Sequence, residues 1–196
     1  MQQLMMFRPA APVPAVKMPD GWTIRSMKPD EDTDWVEICG DEFWKPEEMT
    51  PQERWQKTMG DDPGVLPEHV FFACDPADRP MATATLRLLK PDQLSHYPPS
   101  LAGLAYLHYV AARPESRGLG AGSAVTAHVI RRGIELGLSD CVLTTDDHRL
   151  AAIKSYLRLG WIPVLYDETM LARWQVILES LNQPQVAMMQ MDGTRQ

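Results

Sequence analysis

The chain has 196 residues, 44% of them apolar and 23% charged, with 26 acidic against 19 basic side chains and a formal charge of −7. This is enough for one well-buried domain and short for two. The acidic balance excludes non-specific nucleic-acid binding, which needs a basic face to displace counterions, and it suits an amine-bearing partner better.

No stretch approaches the apolar length of a membrane span. Arg8 and Pro9, Pro12 and Pro14 interrupt any secretory core near the N-terminus. Cys39, Cys74 and Cys141 are isolated and odd in number, as expected of reduced core residues. The five histidines are scattered without metal-ligand spacing, so no metal site is expected. The expectation is a soluble, cytoplasmic protein.

Taken in order, residues 1–19 are rich in Pro, Ala and Met and show neither the helical nor the strand period, which predicts a flexible arm or an extended strap outside the domain. Trp22 to Met27 alternates like a first strand. Asp30 to Asp34 supplies acidic caps for a helix near Trp35-Val36-Glu37-Ile38. Thr50-Pro51-Gln52-Glu53 is a helix start with Pro at the first helical position. Before it stand Glu42, Phe43 and Trp44, with Trp55 after it; these aromatics serve either a core or an acceptor pocket.

His69 to Cys74 and Met81 to Leu89 predict an antiparallel hairpin about Asp75-Pro76-Ala77-Asp78-Arg79-Pro80. Pro91 to Gly103 is a loop, and a strand ends at Ala112. Cys141 to Thr145 is short and apolar enough for a buried parallel strand. Ala151 to Leu159 is a helix with Ala152, Ile153, Tyr156 and Leu159 inward, ended by Gly160. Trp161 to Tyr166 is a strand, and Thr169 to Leu181 is a last helix with Leu171, Trp174, Ile177, Leu178 and Leu181 inward. The domain is placed at residues 20–182, and residues 183–196 form a polar, Met-bearing flexible tail.

The most informative stretch is Tyr106 to Leu138. An apolar run ends in Val110-Ala111-Ala112, a turn follows through Arg113-Pro114-Glu115-Ser116, and then Arg117-Gly118-Leu119-Gly120-Ala121-Gly122 opens a helix. In that helix Val125, Val129, Ile130 and Ile134 share one face, and His128, Arg131, Arg132 and Glu135 the other. Alternate glycines let another backbone or a ligand come close. The first amides of the helix lack intrahelical partners and sit at the positive end of its dipole, so the turn can cradle a pyrophosphate or simply pack a helix on a sheet. A dinucleotide fingerprint requires a third glycine where Ser123 stands, which disfavours a dinucleotide-dependent oxidoreductase.

The run Val110 to Gly122 resembles the acetyl-CoA-binding segment of the GCN5-related N-acetyltransferase (GNAT) family, whose core Arg/Gln-x-x-Gly-x-Gly/Ala is filled by Arg117, Gly120 and Gly122. A second segment, Ala152-Ile153-Lys154-Ser155-Tyr156-Leu157-Arg158-Leu159-Gly160-Trp161, resembles the family's Ala-Ile-x-x-Tyr-x-x-x-Gly-Phe/Trp helix and strand. The resemblance implies an α/β (α+β) fold, a mixed and mostly antiparallel sheet flanked by helices in a single domain.

It also implies an acyltransferase that moves the acetyl group of acetyl-CoA directly to an amine of a small molecule or peptide. Cofactor contacts then fall on Val110, Ala111, Ala112, Arg117, Gly118, Leu119, Gly120, Ala121 and Gly122. Tyr156 takes the family's proton-donor position, and a phenol with an ordinary pKa near 10 is able to protonate a departing thiolate. Arg149 stands where the family often has an Asn, as a contact to phosphate or acceptor. The acceptor side falls to Glu42, Phe43, Trp44 and His108, with Glu42 and His108 also candidates for the general base. A non-catalytic acyl-CoA-binding or regulatory module of the same fold is the alternative, and a homodimer is left open.

Overall fold

The computed structural model describes residues 2–43, 49–90, 104–138 and 140–195, of which 41–43 and 104 by backbone alone. The loop expected over 91–103 lies outside them. The elements in chain order are β1 (Leu4–Arg8), β2 (Thr23–Ser26), α1 (Asp32–Phe43), α2 (Pro51–Trp55), β3 (Val65–Cys74), β4 (Pro80–Leu88), β5 (Leu104–Ala112), α3 (Ala121–Glu135), β6 (Asp140–Thr145), α4 (Leu150–Arg158), β7 (Ile162–Leu165), α5 (Met170–Ser180) and β8 (Met189–Gln190). This is the mixed, mostly antiparallel α/β architecture expected: β5 with β6 and β7 with β8 pair in parallel, whereas β1 with β6, β1 with β7, β2 with β3 and β3 with β4 are antiparallel.

The chain forms two compact units: Met1–Pro14, Leu89–Tyr106 and Gly133–Gln196 in one, Ala15–Leu88 and Leu107–Arg132 in the other. Strand β5 gives its first three residues to the former and its remaining six to the latter.

In the unit containing β1, that strand lies between β6 and β7, with Leu4 opposite Thr145 and Met5 opposite Val164. The sequence-based reading of an arm outside the fold is corrected here. Leu4-Met5-Met6-Phe7 is continuously apolar because a strand buried on both faces needs no alternation. Leu4 and Met6 are fully buried. Trp22 to Met27 therefore supplies the second strand, not the first. The polar tail is corrected likewise, since Met188 and Met189 are buried and β8 pairs with β7 through Val164 and Met189. In α5 the inward stripe is Met170, Trp174, Ile177 and Leu178, spaced i, i+4, i+7 and i+8. Leu171, expected inward, is exposed instead.

In the unit containing β3, the hairpin of His69–Cys74 with Met81–Leu89 pairs as expected, with Phe71 opposite Ala84 and Phe72 opposite Thr83. Helix α2 starts with a complete capping box, Thr50 and Glu53 each satisfying the other's backbone amide. Its Trp55 packs edge-on against Trp35 of α1 at 5.1 Å, and Trp35 against Tyr109 at 5.2 Å. Trp55 is thus half-buried and packed against the core. In α3 the large buried side chains are Val125, Val129 and Ile130, and Ile134, one turn further along, is exposed, contrary to its expected inward face.

Candidate active site

The parallel pairing of β5 with β6 runs from Leu104–Asp140 to Tyr106–Val142, where the register ends. Beyond it, Tyr109 has φ +42. An aromatic residue in the left-handed region costs on the order of 1–3 kcal/mol and persists only where its surroundings over-determine it. Here Trp35 and His108 hold the ring at 5.2 and 4.3 Å. The strand is kinked immediately before Val110, Ala111 and Ala112. Nothing in the sequence marks this kink, because no glycine announces it.

The chain then turns through Pro114–Ser116. Ser116 Oγ donates to the Met81 carbonyl at 3.0 Å, the Arg113 amide to the same carbonyl at 2.8 Å, and Arg113 reaches Asp34 and Glu37 of α1. Arg117 Nε donates to the Ala112 carbonyl at 3.4 Å, and Leu119 is half exposed. Gly118 and Gly120 have φ +79 and +89. Among the described residues, no hydrogen bond takes up the amides of Gly118, Gly120, Ala121 or Gly122. A Cβ at Gly118 or Gly122 would meet nothing within 4 Å, whereas one at Gly120 would lie 2.5 Å from the Lys17 carbonyl oxygen. The close approach expected of the glycines is thus made at Gly120 by the chain itself, and the space at Gly118 and Gly122 is open. A row of unpaired amides opening a fifteen-residue helix matches the chemistry of an anionic diphosphate.

Of the acceptor-side candidates, Glu42 and Phe43 end α1 with side chains outside the description, and Trp44 lies outside the described residues. His108 is on β5 against the Tyr109 ring. Burial, followed by the Arg87 cation, lowers its pKa to about 4, with Asp62 opposing. The imidazole is neutral at physiological pH and too weakly basic for a general base poised near pH 7. Asp62 itself titrates below the usual carboxylate range: burial opposes this, and hydrogen bonds from Arg87 and the Gly64 amide outweigh it.

His108, Asp62 and Arg87 share the β3 unit. Arg149 and Tyr156 belong to the other. Arg149 precedes α4 as its cap, with no side-chain capping bond; its amide donates to the Asp146 carbonyl at 3.0 Å. Nearby, Asp147 pairs with Arg173 of α5, which holds the carboxyl below its usual range. Tyr156 is 4% exposed, its ring 6.1 Å from that of Trp161. It lies in the last turn of α4, closed by Trp161 N–H to Tyr156 O at 3.1 Å and Gly160 N–H to Leu157 O at 3.0 Å, with Gly160 at φ +89 as expected of a left-handed cap. Sequence reasoning missed Arg8, whose Nε donates to the Leu159 carbonyl at 2.8 Å. The only signal it gave was a charge ending an apolar run.

Comparison with known proteins bears on the family and the fold. The sequence model of the acetyltransferase (GNAT) family matches residues 27–161. Mycothiol acetyltransferase of Thermomonospora curvata is 31% identical over 84% of this chain and 52% of its own length, and that of Salinispora tropica 27% over 77% and 48%. The chain thus spans about half the length of these curated relatives. Among solved structures, a GCN5-related N-acetyltransferase from Sphaerobacter thermophilus superposes with TM-score 0.60 at 21% identity, over 82% of this chain and 47% of that one. The ribosomal-protein-S18-alanine N-acetyltransferase of Escherichia coli gives 0.53 at 19%, over 71% and 76%. These two likenesses speak to the fold, and the sequence match to descent. The chain belongs to the acetyltransferase (GNAT) family.

Proposed function

We infer that this chain transfers the acetyl group of acetyl-CoA directly to the nitrogen of an amine on a small molecule or peptide. The observation that carries the reading is the set of unpaired amides at Gly118, Gly120, Ala121 and Gly122, beside open space at Gly118 and Gly122. These amides, with Arg117, hold the diphosphate, and the edge of β5 at Val110–Ala112 presents backbone groups to the pantetheine arm. Acetyl-CoA supplies an activated thioester. The amine nitrogen forms the new bond to the acetyl carbon as the carbon–sulfur bond breaks, and the Tyr156 hydroxyl gives its proton to the departing sulfur. The attacking nitrogen's surplus proton leaves to water, and water returns a proton to the Tyr156 phenolate, so the net products are the amide and the free thiol. His108 lines the acceptor side as a neutral hydrogen-bonding group.

A small amine acceptor is supported by the curated relatives' name, mycothiol acetyltransferase, and by the acidic balance of the chain. The test is thiol release from acetyl-CoA across a panel of glucosamine, a primary alkylamine, an amino acid and a peptide. Turnover with at least one amine is expected. Stabilisation by CoA with no turnover for any of them would establish the non-catalytic module instead.

A further inference from the structure

Arg8 closes β1 and is 2% exposed, yet among the described residues its guanidinium meets no carboxylate. Its hydrogen bonds go to backbone carbonyls: Nε to Leu159 at 2.8 Å, Nη1 to Pro9 at 3.1 Å, and Nη2 to Ala11 and Pro12, each at 3.1 Å. Burying a cation among neutral acceptors is costly, and an apolar side chain of similar volume would fill the same space at less expense. The guanidinium's planar fork can satisfy several carbonyls in fixed directions at once, which no apolar residue and no lysine can do. Its pKa is lowered by burial, but a guanidinium remains charged at any physiological pH.

The carbonyl taken by Nε identifies what the arrangement serves. Leu159 is the C-cap of α4, and its oxygen is among the last carbonyls of a helix, which have no intrahelical donor. One turn back, the Tyr156 carbonyl accepts two amides, those of Leu159 and Trp161. The backbone of Tyr156 and the carbonyl held by Arg8 are therefore parts of one closed cap, and Gly160 within it lies 3.8 Å, measured from a built Cβ, from Arg8 Nε.

We propose that Arg8 is a positioning residue: it locks the last turn of α4 to β1 and thereby fixes where the Tyr156 hydroxyl stands. This rests on the reading of Tyr156 as proton donor. Small displacements of a reacting group are expensive in rate, about 10²-fold for roughly 1 Å, so a loosened cap shows in kcat before it shows in cofactor binding.

The experiment is a double-variant cycle on thiol release, with the panel amine turned over fastest and rates expressed per CoA-binding protein, so that unfolded molecules do not count. Tyr156→Phe is expected to lower kcat by about 100-fold. Arg8→Lys is expected to lower it about 10-fold with the KM for acetyl-CoA within about twofold, and to change it less than about twofold in the Tyr156→Phe background. An equal 10-fold loss in both backgrounds, or a change confined to KM, would overturn the proposal, since Arg8 would then act independently of the phenol. No effect of Tyr156→Phe alone would remove the donor reading, and the role of Arg8 with it, before the double variant is made. Should Arg8→Lys fail to fold, Gly160→Ala strains the same cap at φ +89 while keeping the guanidinium, and the same background dependence is required of it.

Discussion

The start of α3 and the end of α4 are both built on a glycine at φ +89, Gly120 and Gly160, and the chain finishes them in opposite ways. Before α3 the amides of Gly118, Gly120, Ala121 and Gly122 have no partner among the described residues. After α4 the carbonyls of Tyr156, Leu157 and Leu159 are all engaged, by three amides and a guanidinium. A helix end that leaves its polar groups unmet is suited to a ligand. One whose groups are all met within the chain is suited to holding a side chain still. The two ends share a left-handed glycine and differ in what they present: open amides at the positive end of α3, and at the end of α4 carbonyls that the chain itself fills.

Substitutions should expose that difference. The largest effect is expected at Gly120→Ala, where a Cβ would add left-handed strain to a 2.5 Å approach to the Lys17 carbonyl, a loss of about 3 kcal/mol read by urea unfolding. Tolerance of this change would mean that residues near Lys17 do not pack on the turn. Next in size is the pH response of His108, on the strand that feeds the open end. Its folded pKa of about 4 lies below the ordinary 6.5, so its protonated form is disfavoured by folding. The stability it contributes is complete above about pH 6.5 and lost as pH falls through 4, on the order of 2 kcal/mol. His108→Gln should flatten unfolding free energy across that interval, and an unchanged slope would contradict the burial of the imidazole.

Gly160→Ala should cost about 1.5 kcal/mol from strain alone, because a Cβ there makes only ordinary contact with Arg8. The smallest effect belongs to Gly122→Ala. Gly122 lies inside α3 without positive φ, and its Cβ would meet nothing, so a gain of about 0.5 kcal/mol is expected from helix propensity, with CoA affinity held within about twofold. A large loss of affinity there would show that the ligand fills that space more tightly than a bound diphosphate requires.

The same contrast explains what could be read from the chain alone. The glycine turn and the Tyr156 helix were legible because glycines at special backbone positions and a 3.6-residue period leave marks in sequence. β4 is legible as a strand from its alternation of Ala and Thr, but the half-buried face this implies is not found: Thr83 and Thr85 are as fully buried as Ala82 and Ala84. β1 was not, because Leu4 to Phe7 is apolar without alternation and its partners, β6 and β7, lie more than 130 residues away. Arg8 reads in sequence only as an interruption of a secretory core, since a cation satisfied by carbonyls has no partner residue type to betray it. The kink at Tyr109 was invisible for a related reason: it is imposed by packing against Trp35 rather than by a permissive residue. Leu171 and Ile134 misled because helical period fixes spacing but not which neighbouring stripe, Met170 rather than Leu171, turns inward.

The central claim is that the unmet amides opening α3 receive the diphosphate of coenzyme A. A crystal structure of the full chain with CoA tests it most directly. Diphosphate oxygens within hydrogen-bond distance of the Gly118, Gly120, Ala121 and Gly122 amides are predicted; CoA bound with those amides unengaged would contradict it.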